Sequence, residues 1–281
     1  MNLRRLLLLA ISSTLSIVRV PAATRPVFHF VKCPGSSMTR LYGINNSNTA
    51  VGSCLLSNGE FHGFVASKGS LAYIDDPAGD GTVPEDINSA ETVVGYYADL
   101  TGNFHAFAYQ NGSFTDVGPP GALQSYAYGI DDMGRITGEF VDASGFDHGW
   151  IFDGNRYRIV EHGLSNTDVH DINVSGQFIV NWIDAQETIR SSLCDSSSCK
   201  GLRIPGATMS IARGIDSFGD IVFFWYDDNF FSHGAVLLAS RFLKFDAPGC
   251  DNTNAWRIND RRVVVGSCMT GVDSQGYFVN F

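Results

Sequence analysis

Residues 87–107 read INSAETVVGYYADLTGNFHAF, and the Ile-Asn pair that opens this stretch recurs along the chain. The isoleucine of an Ile-(Asn/Asp) pair stands at six positions: Ile44, Ile87, Ile130, Ile172, Ile215 and Ile258. The successive intervals are 43, 43, 42, 43 and 43 residues. A fixed period of this length indicates a repeat architecture, in which each copy buries its apolar faces against its neighbours.

Each copy has the pattern of four short strands. The Asn or Asp opens a turn, an apolar run such as residues 92–97 follows, and a third run contains a triplet such as His62-Gly63-Phe64. A glycine turn, for example Asn111-Gly112, leads to a fourth run, residues 113–117 in the second copy. Four strands in about 40–45 residues are typical of a propeller blade. A β-sandwich and a β-helix array are the alternatives, but a β-helix needs shorter coils and a sandwich does not need sixfold equality.

The two ends of the chain predict how the ring closes. Pro34-Gly35 precedes Ile44 by the same ten residues that separate Pro120-Gly121 from Ile130, so residues 27–31 correspond to a fourth strand without a blade of its own. The last copy stops at Phe281, after its third strand. The sequence therefore predicts an all-β fold, a six-bladed β-propeller of 43-residue four-stranded repeats, closed by the N-terminal strand completing the last blade.

The first residues have the features of a secretory signal. Residues 1–5 carry two positive charges, residues 6–18 are apolar, and Val20-Pro21-Ala22-Ala23 offers a small-residue cleavage site. Thirteen apolar residues are too few to span a bilayer, which needs about 20. We predict a signal peptide at 1–23, a single propeller at 24–281, a secreted or periplasmic location and no membrane span after cleavage. An uncleaved interfacial anchor is the alternative.

The charge of the chain argues against a nucleic-acid partner. Without Arg4, Arg5 and Arg19, the 19 basic residues fall to 16, against 29 acidic residues, which gives a formal charge of −13. Binding to phosphate needs a positive field, so nucleic acid and anionic membrane surfaces are excluded as partners.

The six cysteines predict three disulfides in an exported chain. Cys54 and Cys268 occupy the same repeat position, both in Val-Gly-Ser-Cys, and each follows a cysteine near a Pro-Gly connection. The predicted pairs are Cys33–Cys54, Cys194–Cys199 and Cys250–Cys268. Metal binding by the thiols is the alternative, but no CxxC pair occurs, and we predict no metal site and no cofactor.

The repeat unit resembles a known family. Gly-Ile-(Asn/Asp), Val-Gly, aromatic-x-Asp, Gly-x-x-His-Gly-Phe and Pro-Gly follow one another as in the extracellular HAF repeat of bacterial exported proteins. The triplet that gives this repeat its name stands at His105-Ala106-Phe107, and the resemblance covers about residues 27–281. In the fourth copy Arg190 replaces the histidine. The resemblance implies an exported repeat protein of unknown activity, and it supplies no reaction.

An aromatic-x-Asp motif supplies the candidate binding residues. It stands in copies two to five, at Tyr97 and Asp99, Phe140 and Asp142, Trp182 and Asp184, and Trp225 and Asp227. Alternation along a strand puts both side chains on one face. Aromatic faces stack on sugar rings and carboxylates accept hydrogen bonds from sugar hydroxyls. The alternative is that the aromatic ring packs between blades and the Asp caps its turn.

Other polar features favour structure over chemistry. His62, His105, His148 and His233 stand at equivalent repeat positions, where we expect them to bond a neighbouring strand or loop. The acidic stretch at residues 75–81 is a weak candidate for Ca²⁺ and is more typical of an ordinary turn. No Gly-x-Ser-x-Gly motif is present, and we predict no catalytic residue.

The sequence thus predicts a recognition scaffold for carbohydrate or a cell-surface protein. A polysaccharide-acting hydrolase or lyase on the same scaffold is the first alternative, and a structural or assembly protein without a ligand pocket is the second. An acid or histidine that breaks the sixfold pattern near the channel, with a perturbed pKa, would favour the enzyme.

Overall fold

The computed structural model describes residues 26–162 and 165–281, which form 24 β-strands and no helix. The predicted signal peptide at 1–23 lies outside the described residues. No helix in the described ranges could cross a membrane.

The strands recur in the same order in every copy. The first strands are β2 (Ser36–Ile44), β6 (Gly79–Ile87), β10 (Gln124–Ile130), β14 (Ser165–Ile172), β18 (Met209–Ile215) and β22 (Asn252–Ile258). The second strands are β3 (Ala50–Leu56), β7 (Val93–Asp99), β11 (Ile136–Val141), β15 (Phe178–Ile183), β19 (Ile221–Tyr226) and β23 (Val263–Thr270). The third strands are β4 (Phe61–Ser67), β8 (Phe104–Gln110), β12 (Asp147–Phe152), β16 (Ile189–Cys194), β20 (Ser232–Leu238) and β24 (Asp273–Asn280). The remaining strands are β1 (Phe28–Val31), β5 (Ser70–Tyr73), β9 (Ser113–Asp116), β13 (Tyr157–Val160), β17 (Cys199–Leu202) and β21 (Arg241–Phe245).

Copies two to five each form one antiparallel sheet of four strands in chain order. The strands of copies one and six belong to one mixed sheet of eight strands. In it, β1 pairs antiparallel with β24, from Phe28 opposite Val279 to Val31 opposite Gly276, and a single parallel bridge joins Met38 of β2 to Ser274 of β24. The strand predicted at residues 27–31 therefore lies beside the last strand of the chain.

In each copy, one residue of the second strand and the residue opposite it on the third strand together fill one volume of the core. Where the second strand has glycine, the residue directly opposite on the third strand is a large aromatic, and where it has a large residue the opposite one is small. The pairs are Gly52 and Phe64, Gly95 and Phe107, Gly138 and Trp150, Gly266 and Tyr277, Val180 and Ser192, and Phe223 and Ala235. The four aromatic rings are fully buried. Large and small residues alternate so that each sheet fills its share of the core at close packing.

The asparagine after the repeated isoleucine links successive copies. Its Oδ1 accepts backbone N–H groups two and four residues later and closes the turn, as Asn45 does with Ser47 and Thr49. Its Nδ2 donates to the backbone carbonyl of the equivalent residue in the next copy. These bonds run from Asn45 to Asn88, Asn88 to Asp131, Asn173 to Asp216 and Asn259 to Asn45, at 2.9–3.2 Å. The link from copy six to copy one has the same form as the others.

Copies three and five have aspartate at this position and depart from the pattern. Asp131 accepts from the Arg135 guanidinium, which in turn donates to the carbonyl of Asn173 at 2.8 Å and so replaces the missing amide. Asp216 has no such substitute, and its Oδ2 is buried without a hydrogen-bond partner among the described residues. Burial, helped by Asp220 and Asp260, raises the pKa of Asp216 to about 6.

Asp216→Asn is expected to stabilise the protein at pH 7 by about 1–3 kcal/mol. The amide would donate to the carbonyl of Asn259 as the asparagines of the other copies do. Because the pKa of Asp216 is raised in the folded state, the wild type loses stability as the pH rises from about 4, the ordinary value, through about 6. The gain should therefore be small at pH 4 and full at pH 7, measured by denaturant unfolding.

Asp131→Asn is the matched control, since it removes the partner of Arg135 and should destabilise the protein. A gain from Asp216→Asn that is the same at both pH values would contradict the explanation.

All three predicted disulfides are confirmed: Cys33–Cys54, Cys194–Cys199 and Cys250–Cys268. No free cysteine remains among the described residues, so the thiol-metal alternative has no ligands. Three disulfides indicate an oxidising, extracellular environment.

Candidate functional site

The aspartates of the aromatic-x-Asp motif cap the turns that follow the second strands. Asp99 Oδ1 accepts from the backbone N–H groups of Thr101 and Asn103 at 2.8 and 3.0 Å. Asp142, Asp184 and Asp227 do the same with the residues two and four positions later. The second oxygen faces the residue at the repeated histidine position, which is His105, His148 or His233, or Arg190 in copy four. The hydrogen bond from His105, followed by those of the turn, lowers the pKa of Asp99.

The aromatic residues of the motif stack on the same histidines. Tyr97, Phe140 and Trp225 lie against His105, His148 and His233 with ring centroids 5.3, 5.1 and 4.5 Å apart. Lys244 Nζ also lies 3.9 Å from the centroid of the Trp225 ring. Trp182, which has Arg190 in place of the histidine, meets His162 edge-on. Each ring thus has a packing partner within the protein, and sugar binding by these eight residues stays a prediction.

The repeated histidines bond a neighbouring loop, as expected from the sequence. His62, His148 and His233 each place Nδ1 within 2.9 Å of an acid that follows the fourth strand, namely Asp75, Glu161 and Asp246. In the stretch considered for Ca²⁺, Asp75 is therefore paired with His62, and Asp76 accepts from Ala78 N–H. Calcium binding there stays a prediction.

A buried ion triad lies where the six first strands meet. The residue before the repeated isoleucine is alternately glycine and charged: Gly43, Asp86, Gly129, Asp171, Gly214 and Arg257. The glycines leave room for the charged neighbours, since a Cβ on Gly43 would lie 2.5 Å from the Cα of Asp86. Arg257 Nη1 lies 2.9 Å from Asp171 and its Nε 3.3 Å from Asp86.

The triad is tied to the backbone of copies three and five. Asp86 accepts from Ile130 N–H and Asp171 from Ile215 N–H, while Arg257 donates to the carbonyls of Arg213 and Tyr128. Burial raises the pKa of Asp86 to about 7, and Arg257 opposes this rise. On one side of the triad, a pocket of about 230 Å³ is lined by the Asn and Asp turns of all six copies.

On the other side of the triad, side chains from all six copies lie near one another in a group that we call the central cluster. It comprises the six residues two positions before the repeated isoleucines, with two acids and two tyrosines next to them: Tyr42, Glu85, Tyr96, Tyr126, Tyr128, Glu139, Asp168, His170, Arg213 and Trp256. Contacts link successive members from Tyr42 to Tyr128. Tyr42 meets Trp256 at 5.4 Å, Arg213 lies 4.8 Å from the Trp256 ring and 2.8 Å from His170 Nε2, and His170 meets Tyr128 at 4.8 Å.

The acids of the central cluster have strongly perturbed pKa values. Burial, and then the charge of Asp168, raises the pKa of Glu139 to about 8, although Glu139 Oε1 accepts from Tyr128 Oη at 2.8 Å. Burial raises the pKa of Asp168 to about 6 against the opposing charge of Arg213. Burial also raises the pKa of Glu85 to about 7. For His170, burial and then Arg213 hold the pKa well below its ordinary value.

The central cluster was not predicted from the sequence, because the candidate residues were those that recur at the same repeat position. These side chains stand at positions where the copies differ most: two before the isoleucine they are Tyr, Glu, Tyr, His, Arg and Trp. The signal was available in the aligned copies, as columns of polar and aromatic residues that are never the same twice running. A position that served only packing would keep a similar residue in every copy, whereas these positions do not.

Solved structures show the same kind of fold at low identity. The SapL1 lectin, solved with alpha methyl fucoside, is 11% identical with a TM-score of 0.56, over 84% of this chain and 90% of that one. The Aleuria aurantia lectin, solved with alpha-methyl-L-fucoside, is 11% identical with a TM-score of 0.53, over 87% and 91%. The Trypanosoma rangeli sialidase is 11% identical with a TM-score of 0.51, over 88% of this chain and 55% of the sialidase. No protein-family model and no curated protein matches the chain.

The likeness to these structures, two of which are propeller lectins, defines this chain as an all-β protein of propeller type built from four-stranded sheets.

Proposed function

We propose that this chain is an exported six-bladed propeller that binds carbohydrate in the central cluster. Closure into a ring is supported by contacts between neighbouring first strands, which run from β2 through β6, β10, β14, β18 and β22 back to β2. It is also supported by the hydrogen bond from Asn259 to the Asn45 carbonyl and by the pairing of β1 with β24. Export is supported by the three disulfides and by the signal predicted at 1–23.

The observation that carries the proposal is the asymmetry of the central cluster. A ring of equivalent positions that served only packing would repeat, whereas this one combines the faces of Tyr42, Tyr126 and Trp256 with charged hydrogen-bonding groups. The side chain of Asp168 is 23% exposed, so solvent reaches this acid of the cluster. Aromatic faces beside fixed carboxylates and guanidinium groups suit a polyhydroxylated ring. The lectin neighbours are consistent with this class of ligand.

Binding of residues 24–281 to a glycan panel, including fucosylated, sialylated and neutral sugars, tests the proposal. Tyr126→Ala and Trp256→Ala should each weaken the best ligand by about tenfold or more, because each removes one stacking face. Phe140→Ala is the control, since Phe140 belongs to the aromatic-x-Asp motif and lies outside the cluster. Circular dichroism and thermal unfolding establish that each variant is folded.

Two results would overturn the assignment. One is the absence of any ligand across the panel. The other is binding that survives both central variants and is lost in Phe140→Ala, which would move the site to the aromatic-x-Asp residues.

Glycoside hydrolysis is the second candidate, favoured by the separate pKa values of Glu139 and Asp168. At neutral pH Glu139 would remain protonated and Asp168 ionised, as the acid and base of a glycosidase require. If the bound glycan is cleaved, the rate should fall above about pH 8, as Glu139 loses its proton, and below about pH 6, as Asp168 gains one. Glu139→Gln should then retain binding and abolish product formation.

A further inference from the structure

A second cavity lies at the outer part of the molecule, between copies one and two. Its volume is about 670 Å³, large enough for one or two sugar rings. Tyr73 at the end of β5 and the following Asp75 and Asp76 supply one wall, and Tyr97 of β7, Tyr109 of β8 and Asp116 of β9 supply the other. We call this cavity the 1–2 cleft.

The 1–2 cleft is strongly acidic. Three carboxylates line it, and no lysine or arginine does so. Asp76 is only 7% exposed, its Oδ1 accepts from Ala78 N–H at 2.8 Å, and its other oxygen has no hydrogen-bond partner among the described residues. Asp116 likewise uses one oxygen to cap Gly118 N–H at 2.8 Å. A largely buried carboxylate that lines a cavity with one oxygen unused is placed to pair with a cation or to accept a hydrogen bond from a donor outside the chain.

The aromatic side chains of the 1–2 cleft have free polar ends. Tyr73 is 43% exposed, and its ring is held by stacking on His62, with centroids 4.5 Å apart. The hydroxyls of Tyr73, Tyr97 and Tyr109 have no hydrogen-bond partner in the described part of the chain. Tyrosine faces attract cations, and phenolic hydroxyls exchange hydrogen bonds with sugar hydroxyls.

We propose that the 1–2 cleft binds a protonated amino sugar, with the ammonium group at Asp76 and Asp116 and the ring against Tyr73. The acids select the charge, and the three tyrosine hydroxyls select a polyhydroxylated ring over a simple amine. This inference is independent of carbohydrate binding in the central cluster, because it uses none of the same residues.

Comparison with the next cleft along the chain supports a dedicated site. Between copies two and three, the residues equivalent to Asp75, Asp76 and Asp116 are Gly118, Pro119 and Ile159. Asp76 and Asp116 of the 1–2 cleft are therefore not required by the repeat, whereas Asp75 has acidic equivalents in Glu161 and Asp246.

Isothermal titration of residues 24–281 with a β-1,4-linked glucosamine trimer, at about 0.15 M salt and a pH at which the amines are protonated, tests the proposal. The N-acetylated trimer, which lacks the charge, is the ligand control and should bind at least about tenfold more weakly. Asp116→Asn keeps the turn cap, and it and Tyr73→Ala should each raise the Kd by about tenfold or more.

Asp246→Asn is the matched variant, since it removes one exposed carboxylate from copy five and should leave the Kd unchanged. Equal binding of the charged and N-acetylated trimers would overturn the proposal, as would binding that survives Asp116→Asn. Loss of binding in Tyr126→Ala without loss in Asp116→Asn would place the sugar in the central cluster and also overturn it. A trilysine peptide that binds as tightly as the glucosamine trimer would show that the cleft selects charge alone, and would overturn the sugar assignment.

Discussion

Replacing Arg257 by methionine should destabilise the protein by about 3–5 kcal/mol at pH 7, because it leaves two buried carboxylates without a counter-charge. Arg257 is 4% exposed, and it is the cation that joins Asp86 to Asp171. The change also removes the donor to the carbonyls of Arg213 and Tyr128. The loss should shrink at pH 5, where both carboxyls can take up protons at lower cost. Urea unfolding at the two pH values measures the difference.

Arg262→Met is the control for this prediction. Arg262 also pairs with an aspartate, Asp220 at 3.0 Å, but its side chain is 49% exposed, so the same substitution should cost about 1 kcal/mol or less. If Arg257→Met does not fold, Arg257→Lys keeps the charge and loses the forked geometry, and should be intermediate. Equal effects of Arg257→Met and Arg262→Met would show that the triad is not a stabilising element.

Phe107→Ala should cost about 3–5 kcal/mol, since the ring is fully buried opposite Gly95. Gly95→Val in the wild type should also be destabilising, because its Cβ would lie 2.0 Å from the carbonyl oxygen of Val83 and the backbone must shift. The two changes together should cost less than their sum by at least about 1 kcal/mol, because valine refills the space that the ring leaves.

The fourth and fifth copies contain this exchange naturally. Val180 opposite Ser192 and Phe223 opposite Ala235 put the larger residue on the second strand. The measurement is a double-mutant cycle by denaturant unfolding. Additive losses would show that residues 95 and 107 do not share one volume, and would contradict the size-complementary pairing.

Much of the architecture could be predicted from the repeat, because residues at equivalent repeat positions take the same place in each copy. Each first strand ends at its repeated isoleucine, from Ile44 to Ile258. The cysteine pairs followed from the same equivalence, since Cys54 and Cys268 share one repeat position and so have partners in matching places.

The candidate sites were harder to predict, because the recurrence that reveals the strands does not reveal residues that differ from copy to copy. Asp99 and its equivalents recur in copies two to five because each caps the turn after its second strand, so recurrence selected structural residues. The central cluster consists of side chains such as Glu139 and Arg213, which lie far apart in sequence and come together only when the six first strands meet. The 1–2 cleft likewise depends on which copies are adjacent, and only the comparison of copies one and two with the others reveals its acids.

The pairing of β1 with β24 sets the order in which this chain can finish folding. These strands lie more than 240 residues apart, so β1 can pair only after the last strand of the chain has been synthesised. The sheets between them consist of hairpins between neighbouring strands and can form from short-range contacts. The pairing of β1 with β24 instead costs the entropy of closing a loop that contains nearly the whole protein. Until then Phe28 and Phe30 remain uncovered on an unpaired edge, which makes the late, nearly complete chain the form most exposed to aggregation.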